Sequence, residues 1–81
     1  MKKIGKVIHF YNNLGVAIVE LKGKLSVGDK VKFEGGKTEF EQTIESMQIE
    51  HENIKSAKKG DVIGIKVDEK VNEGVEVSLV E

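Results

Sequence analysis

TEFEQTIESMQIEHENIKSAKK, residues 38–59, contains neither Gly nor Pro and sets Phe40, Ile44, Met47, His51 and Ile54 at alternating spacings of four and three. That is the period of an amphipathic helix, and on spacing alone the helix reading leads. The competing reading is extended chain, with Phe40, Gln42 and Ile44 on one face. It needs a one-residue slip, a β-bulge near Glu45-Ser46, to return Met47 and Ile49 to the same side. The choice decides whether the chain is mixed or all-β.

Everything around this stretch reads as strand. Val and Ile dominate the apolar residues, in short runs separated by Gly-containing breaks. Ile4 to Tyr11 and Gly15 to Leu21 flank Asn12-Asn13-Leu14, a loop whose asparagines tolerate turn geometry, so the pair reads as a hairpin. Val16 to Val19 is apolar on both alternations, which suits a strand covered on both faces. Lys30 to Glu34 alternates, with Val31 and Phe33 inward. Gly28, Gly60 and Gly74 each stand just before a strand-like run, where a positive φ would turn the chain into the strand.

The length of 81 residues allows one core and not two, so residues 1–81 are read as a single domain. Thirteen lysines with no arginine oppose 14 acids for a net charge of -1, so no global basic field exists. The absence of Cys removes disulfides, thiolate metal sites and a catalytic thiol, and fits a cytoplasmic location. Lys6, His9 and Asn12-Asn13 interrupt the N-terminal apolar run too soon for a signal peptide, and no run is long enough to span a membrane. Charge is segregated: residues 1–32 carry seven Lys against Glu20 and Asp29, a balance of +5, and residues 33–52 carry Lys37 against six Glu, a balance of -5. Either the two segments pair across strands, or Lys22, Lys24, Lys30 and Lys32 form a basic patch that meets phosphate.

Three apparent motifs fail. Gly35-Gly36-Lys37-Thr38 looks like the tail of a phosphate-binding loop, but the leading glycine that loop requires falls at Val31. Gly35-Gly36 reads instead as a hairpin turn, and no nucleotide is expected to bind. His51-Glu52 begins like a zinc-protease helix, but the second histidine would be Lys55. The serines lie in no nucleophile elbow. No enzyme, metal site or cofactor is expected from the residues alone.

SMQIEHENIKSAKKGDVIGIKV, residues 46–67, resembles the second-domain β-barrel of translation elongation factors of the elongation factor Tu type. The matching features are Ser46, His51-Glu52, Ala57 with Gly60-Asp61, and Gly64 between Ile63 and Ile65. GVAIVELKGKLSVGDKVKF, residues 15–33, resembles the entry to the same barrel, and together the likeness covers residues 4–80. A similar barrel occurs at the C-terminus of collagenase-type bacterial peptidases and in short stand-alone proteins, which this chain resembles most in length. The resemblance implies a small six-stranded Greek-key closed barrel, and it turns residues 38–50 from helix to strand. It brings no GTPase domain. Where the relatives hold the aminoacylated end of tRNA with an acid, a histidine and an asparagine, this chain has Gln48, Glu50 and Val62.

Taken together, these readings give a non-catalytic binding module connected to translation, with tRNA or ribosomal RNA as partner. Its contacts would be Lys22, Lys24, Lys30 and Lys32 to phosphate and Gln48 and His51 to base or sugar. The alternative is a protein-interaction adapter docking by a sheet face or by the acidic segment. A hydrolase inherited from the peptidase relatives is set aside, since their catalytic part lies outside this domain.

Overall fold

Asn12 to Gly15 reverses the chain between two β-branched runs. In the computed structural model, which describes residues 2–50 and 52–80, those runs form the hairpin β1 (Lys2–Tyr11) and β2 (Val16–Leu21). The amides of Leu14 and Gly15 both donate to the Tyr11 carbonyl and close its turn. There follow β3 (Leu25–Ser26), β4 (Lys30–Gly35), β5 (Thr38–Thr43), β6 (Met47–Ile49), β7 (Glu52–Ile54), β8 (Ser56–Ala57), β9 (Val62–Lys66) and β10 (Glu76–Leu79), with no helix among the described residues. Eight strands join in one antiparallel sheet in the order β5-β4-β10-β1-β2-β9-β6-β7, and β3 pairs with β8 in a second.

The all-β expectation holds, but the six-stranded closed Greek-key barrel does not. The ladder has eight strands, and no backbone pairing joins its ends, β5 and β7. Both ends nevertheless pack on one apolar cluster, through Phe40 and through Ile49 and Ile54. β1 bends to make this possible, with register shifts at Lys3/Gly5 against β10 and at Val7/His9 against β2. Phe33, Ile4, Leu21 and Met47 are among the largest side chains at the centre of that cluster.

The described part of residues 38–59 carries the strands β5 to β8, and the helical spacing has a simple origin. Gln42 and Ile44 face the core with Phe40 half-covered beside them, and the chain then leaves the sheet for Ile44 to Ser46 before Met47 re-enters it. The expected bulge is therefore a full break, because β5 pairs with β4 whereas β6 pairs with β9 and β7. The odd-numbered step from Ile44 to Met47 shifts the inward phase by one, which is what imitates a helical period.

Two turns repeat the same chemistry. At Gly28 (φ 98°) and Gly60 (φ 94°) the backbone is left-handed, and the following aspartate caps the turn. Asp29 Oδ2 accepts from the Ser26 amide at 2.9 Å, and Asp61 Oδ2 accepts from the Lys58 amide at 3.0 Å.

One polar side chain is buried among the described residues, and it holds the open side of the sheet. Gln42, at the end of β5, donates through Nε2 to the Lys66 carbonyl at 3.0 Å and accepts at Oε1 from the Asp68 amide at 2.9 Å. These bonds span 24 and 26 residues of sequence and tie β5 to the end of β9, which no ladder does.

Candidate functional site

The register of the sheet places Ile18 of β2 opposite Gly64 of β9, and Gly64 opposite Gln48 of β6. Because Gly64 has no side chain, the outer face is hollow at this point. A Cβ there would lie 3.3 Å from Val16 Cγ1 and 3.6 Å from Ile18 Cδ1, so any side chain at this position would crowd Val16 and fill the hollow. Around this floor stand Val16 and Ile18, Val62 one step along β9, and Tyr11 and Leu14 from the β1–β2 turn. Gln48 and Glu50 complete a cleft of about 500 Å³.

Three of these residues are apolar or aromatic side chains held out in solvent: Leu14 at 66% exposure, Tyr11 at 47% and Val62 at 45%. Tyr11 is braced by His9, whose ring meets it edge-on at 4.5 Å between centroids. The Gln48 amide is fixed beside the cleft by donating to Asn53 Oδ1 across the β6–β7 hairpin at 3.0 Å. Glu50 has φ 51°, the left-handed conformation a two-residue hairpin turn requires at its first position. The cleft combines an apolar floor with one amide and one carboxylate at the rim, chemistry suited to holding a side chain.

The lysines singled out by charge stand on two elements, and two of them are ion-paired. Lys22 and Lys24 lie on the β2–β3 loop, whereas Lys30 and Lys32 lie on β4, two strands away across β1 and β10. Lys30 pairs with Glu41 at 3.3 Å, and Lys32 pairs with Glu39 at 2.8 Å and Glu34 at 3.9 Å. The Glu39 hydrogen bond holds the Lys32 ammonium above its ordinary pKa and, reciprocally, Lys32 holds the Glu39 carboxyl below its own. The segregated charges thus answer one another in part, on β4 and across to β5. Gln48 lies in the cleft, and His51 lies outside the described residues. Among the described residues no group of three His, Asp or Glu side chains converges as a metal site.

Residues 2–75 match the model of the peptidase family U32 C-terminal domain. The chain belongs to that family. It is 40% identical over 78 residues to an uncharacterised protease of Methanocaldococcus jannaschii, covering 95% of this chain and 19% of that protein. It is 37% identical over 70 residues to a collagenase of Porphyromonas gingivalis, covering 84% of this chain and 19% of the relative. The chain therefore spans about a fifth of the length of these curated relatives. In fold it is similar to the crystal structure of the C-terminal domain of a Geobacillus thermoleovorans protein assigned to the U32 peptidases. That likeness has a TM-score of 0.92 at 22% identity, over 99% of this chain and 93% of the other.

Membership of the U32 C-terminal domain family corrects the functional expectation. The identification with an elongation factor second domain is not supported, whereas the likeness to the C-terminal part of collagenase-type peptidases is. The RNA-binding, translation-linked function that rested on the former is overturned by the family match. The physical reason lies in the motifs. Gly28-Asp29 and Gly60-Asp61 cap turns and Gly64 admits close packing, so the matched residues build a strand arrangement and say nothing of its ligand.

The sequence did hold a signal for the cleft. Val16 to Val19 is apolar on both alternations, but only Ala17 and Val19 are buried. Val16 and Ile18 are the half-exposed floor of the site, not a second covered face.

Proposed function

We propose that the chain is a non-catalytic accessory domain of U32-type peptidases, which holds polypeptide and leaves cleavage to another part of the machinery. The observation that carries this reading is the lining of the cleft: Val16, Ile18, Val62 and Leu14 with Tyr11, Gln48 and Glu50. A hydrolytic site needs a nucleophile or activated water beside a base that a third group orients. An open apolar hollow with one exposed carboxylate is built for contact. The names protease and collagenase belong to relatives in which the matched region is under a fifth of the length. On the same reading, the curved sheet works as a barrel sealed at β5 by the Gln42 side chain.

The test uses the chain and the M. jannaschii relative with its matching C-terminal region removed. The 81-residue chain alone should release no fragments from gelatin or from a quenched-fluorescence peptide. Added in trans, it should associate with the truncated relative at micromolar concentration. Cleavage by the chain alone, or no association with the truncated relative, overturns the proposal.

A further inference from the structure

The charge around the cleft has a direction. At the Val62 end, Glu20 faces Val62 across the β2–β9 ladder and Lys6 across the β1–β2 ladder, and Glu50 lines the rim; neither acid lies in an ion pair among the described residues. At the Val16 end the cross-strand neighbour is Lys66. Between these ends lies the floor at Gly64, walled by Ile18 and Val16 and overhung by Tyr11 and Leu14. An occupant that buries apolar surface on this floor removes three exposed apolar side chains from water, the dominant favourable term in such contacts. It also brings its neighbouring groups towards Glu50 at the rim and Glu20 beyond Val62, the acidic end of the cleft.

We infer that the cleft takes one large apolar side chain of a polypeptide whose adjacent residue is Lys or Arg, with the cation directed to Glu20 and Glu50. This rests on the accessory-domain reading and names the chemistry of the partner for that same site. A second copy of the chain does not supply the pattern. Among the described residues the exposed large apolar side chains are Ile8, Tyr11, Leu14, Val27 and Val62, and none of these has a lysine as a sequence neighbour.

The probe is the blocked tetrapeptide Gly-Phe-Lys-Gly, titrated into the ¹⁵N-labelled full chain, with Gly-Phe-Glu-Gly and Gly-Ala-Lys-Gly as controls. Saturable amide shifts should map to Ile18, Gln48, Val62 and Gly64. Replacing Phe by Ala should weaken binding by roughly tenfold or more, the loss of one buried aromatic side chain. Replacing Lys by Glu should weaken it about two- to fivefold at low salt, the range of an exposed ion pair, and the difference should vanish at high salt. Gly64→Val should fill the floor and abolish binding. Because that change crowds Val16, Val62→Lys is the companion: it sits on the surface, and it should reverse the preference towards the Glu peptide. Equal affinity for the three peptides, shifts centred elsewhere, or self-association that covers the same residues without peptide would overturn the inference.

The two proposals fail separately. If peptides do not bind yet the chain associates with the truncated relative regardless of Val62→Lys, only the cleft assignment falls. If the peptide preference holds but that association does not occur, the accessory-domain reading falls and the cleft assignment stands.

Discussion

Gln42 should be the most sensitive polar position in the chain, because its side chain does what a backbone ladder does elsewhere. Gln42→Ala removes the donor to the Lys66 carbonyl and the acceptor for the Asp68 amide, both partly buried bonds of ordinary length. Each such bond contributes about 1 kcal/mol net, and a buried group left without a partner costs about 1–3 kcal/mol. The pair gives an expected loss of roughly 2–3 kcal/mol, from a total of roughly 4–12 kcal/mol for a chain of this size. In melting temperature that is a fall of about 10–20 °C. Gln42→Leu separates hydrogen bonding from packing, since it keeps the volume and adds apolar surface while leaving both backbone groups unpaired. It should still lose about 2 kcal/mol in urea denaturation at unchanged slope. Hydrogen exchange at the Asp68 amide should quicken in both variants. If Gln42→Leu lies within about 0.5 kcal/mol of the parent, the seam is held by packing and the hydrogen-bond argument is wrong.

Three further outcomes follow from the same geometry. Gly60→Ala should cost roughly 1–2 kcal/mol in urea denaturation through backbone strain alone, since φ is 94° and an added Cβ meets nothing within 4 Å. Gly5→Ala should cost more than Gly60→Ala in a side-by-side melt, because its Cβ would lie 2.8 Å from Val19 Cγ1 and 3.0 Å from the Glu20 carbonyl oxygen inside the sheet. For pH, Lys32 depresses the Glu39 carboxyl and Lys3 depresses that of Glu76. A depressed acid contributes stability that is present above its ordinary value of 4.5 and lost as pH falls through the lower folded value. Melting temperature should therefore drop below about pH 4.5, and Lys32→Gln should shrink that drop by the share of Glu39; an identical acid profile in the variant would remove the pair from the account.

How far the sequence could be read depended on whether a residue's role was local. The hairpin at Asn12 to Gly15, the Gly36 turn and the capped turns at Gly28 and Gly60 were legible, because each is decided by backbone conformation within four residues. Residues 38–59 were not, because their inward phase is set by partners on β4 and β9 that are distant in sequence, and the break after Ile44 mimics a helical step. The ion pairs of β4 were hidden for the same reason. Summing charge along residues 1–32 cannot see that Lys30 and Lys32 face Glu41 and Glu39 across the next strand.

The functional misreading has a different cause. The residues that carried the resemblance are those the strand arrangement itself demands, such as Gly60-Asp61 and Gly64, so they say nothing of the ligand. Residues that would distinguish one ligand from another stand around the outer cleft: Gln48, Glu50 and Val62. Against the elongation factor pattern these three look like losses. Seen in the register of β2, β9 and β6 they line one apolar hollow, with Val62 exposed at 45% opposite Glu20. A ligand preference of this domain is therefore to be sought in these three side chains and not in the glycine turns, because they line the cleft whereas the turns only shape the strands.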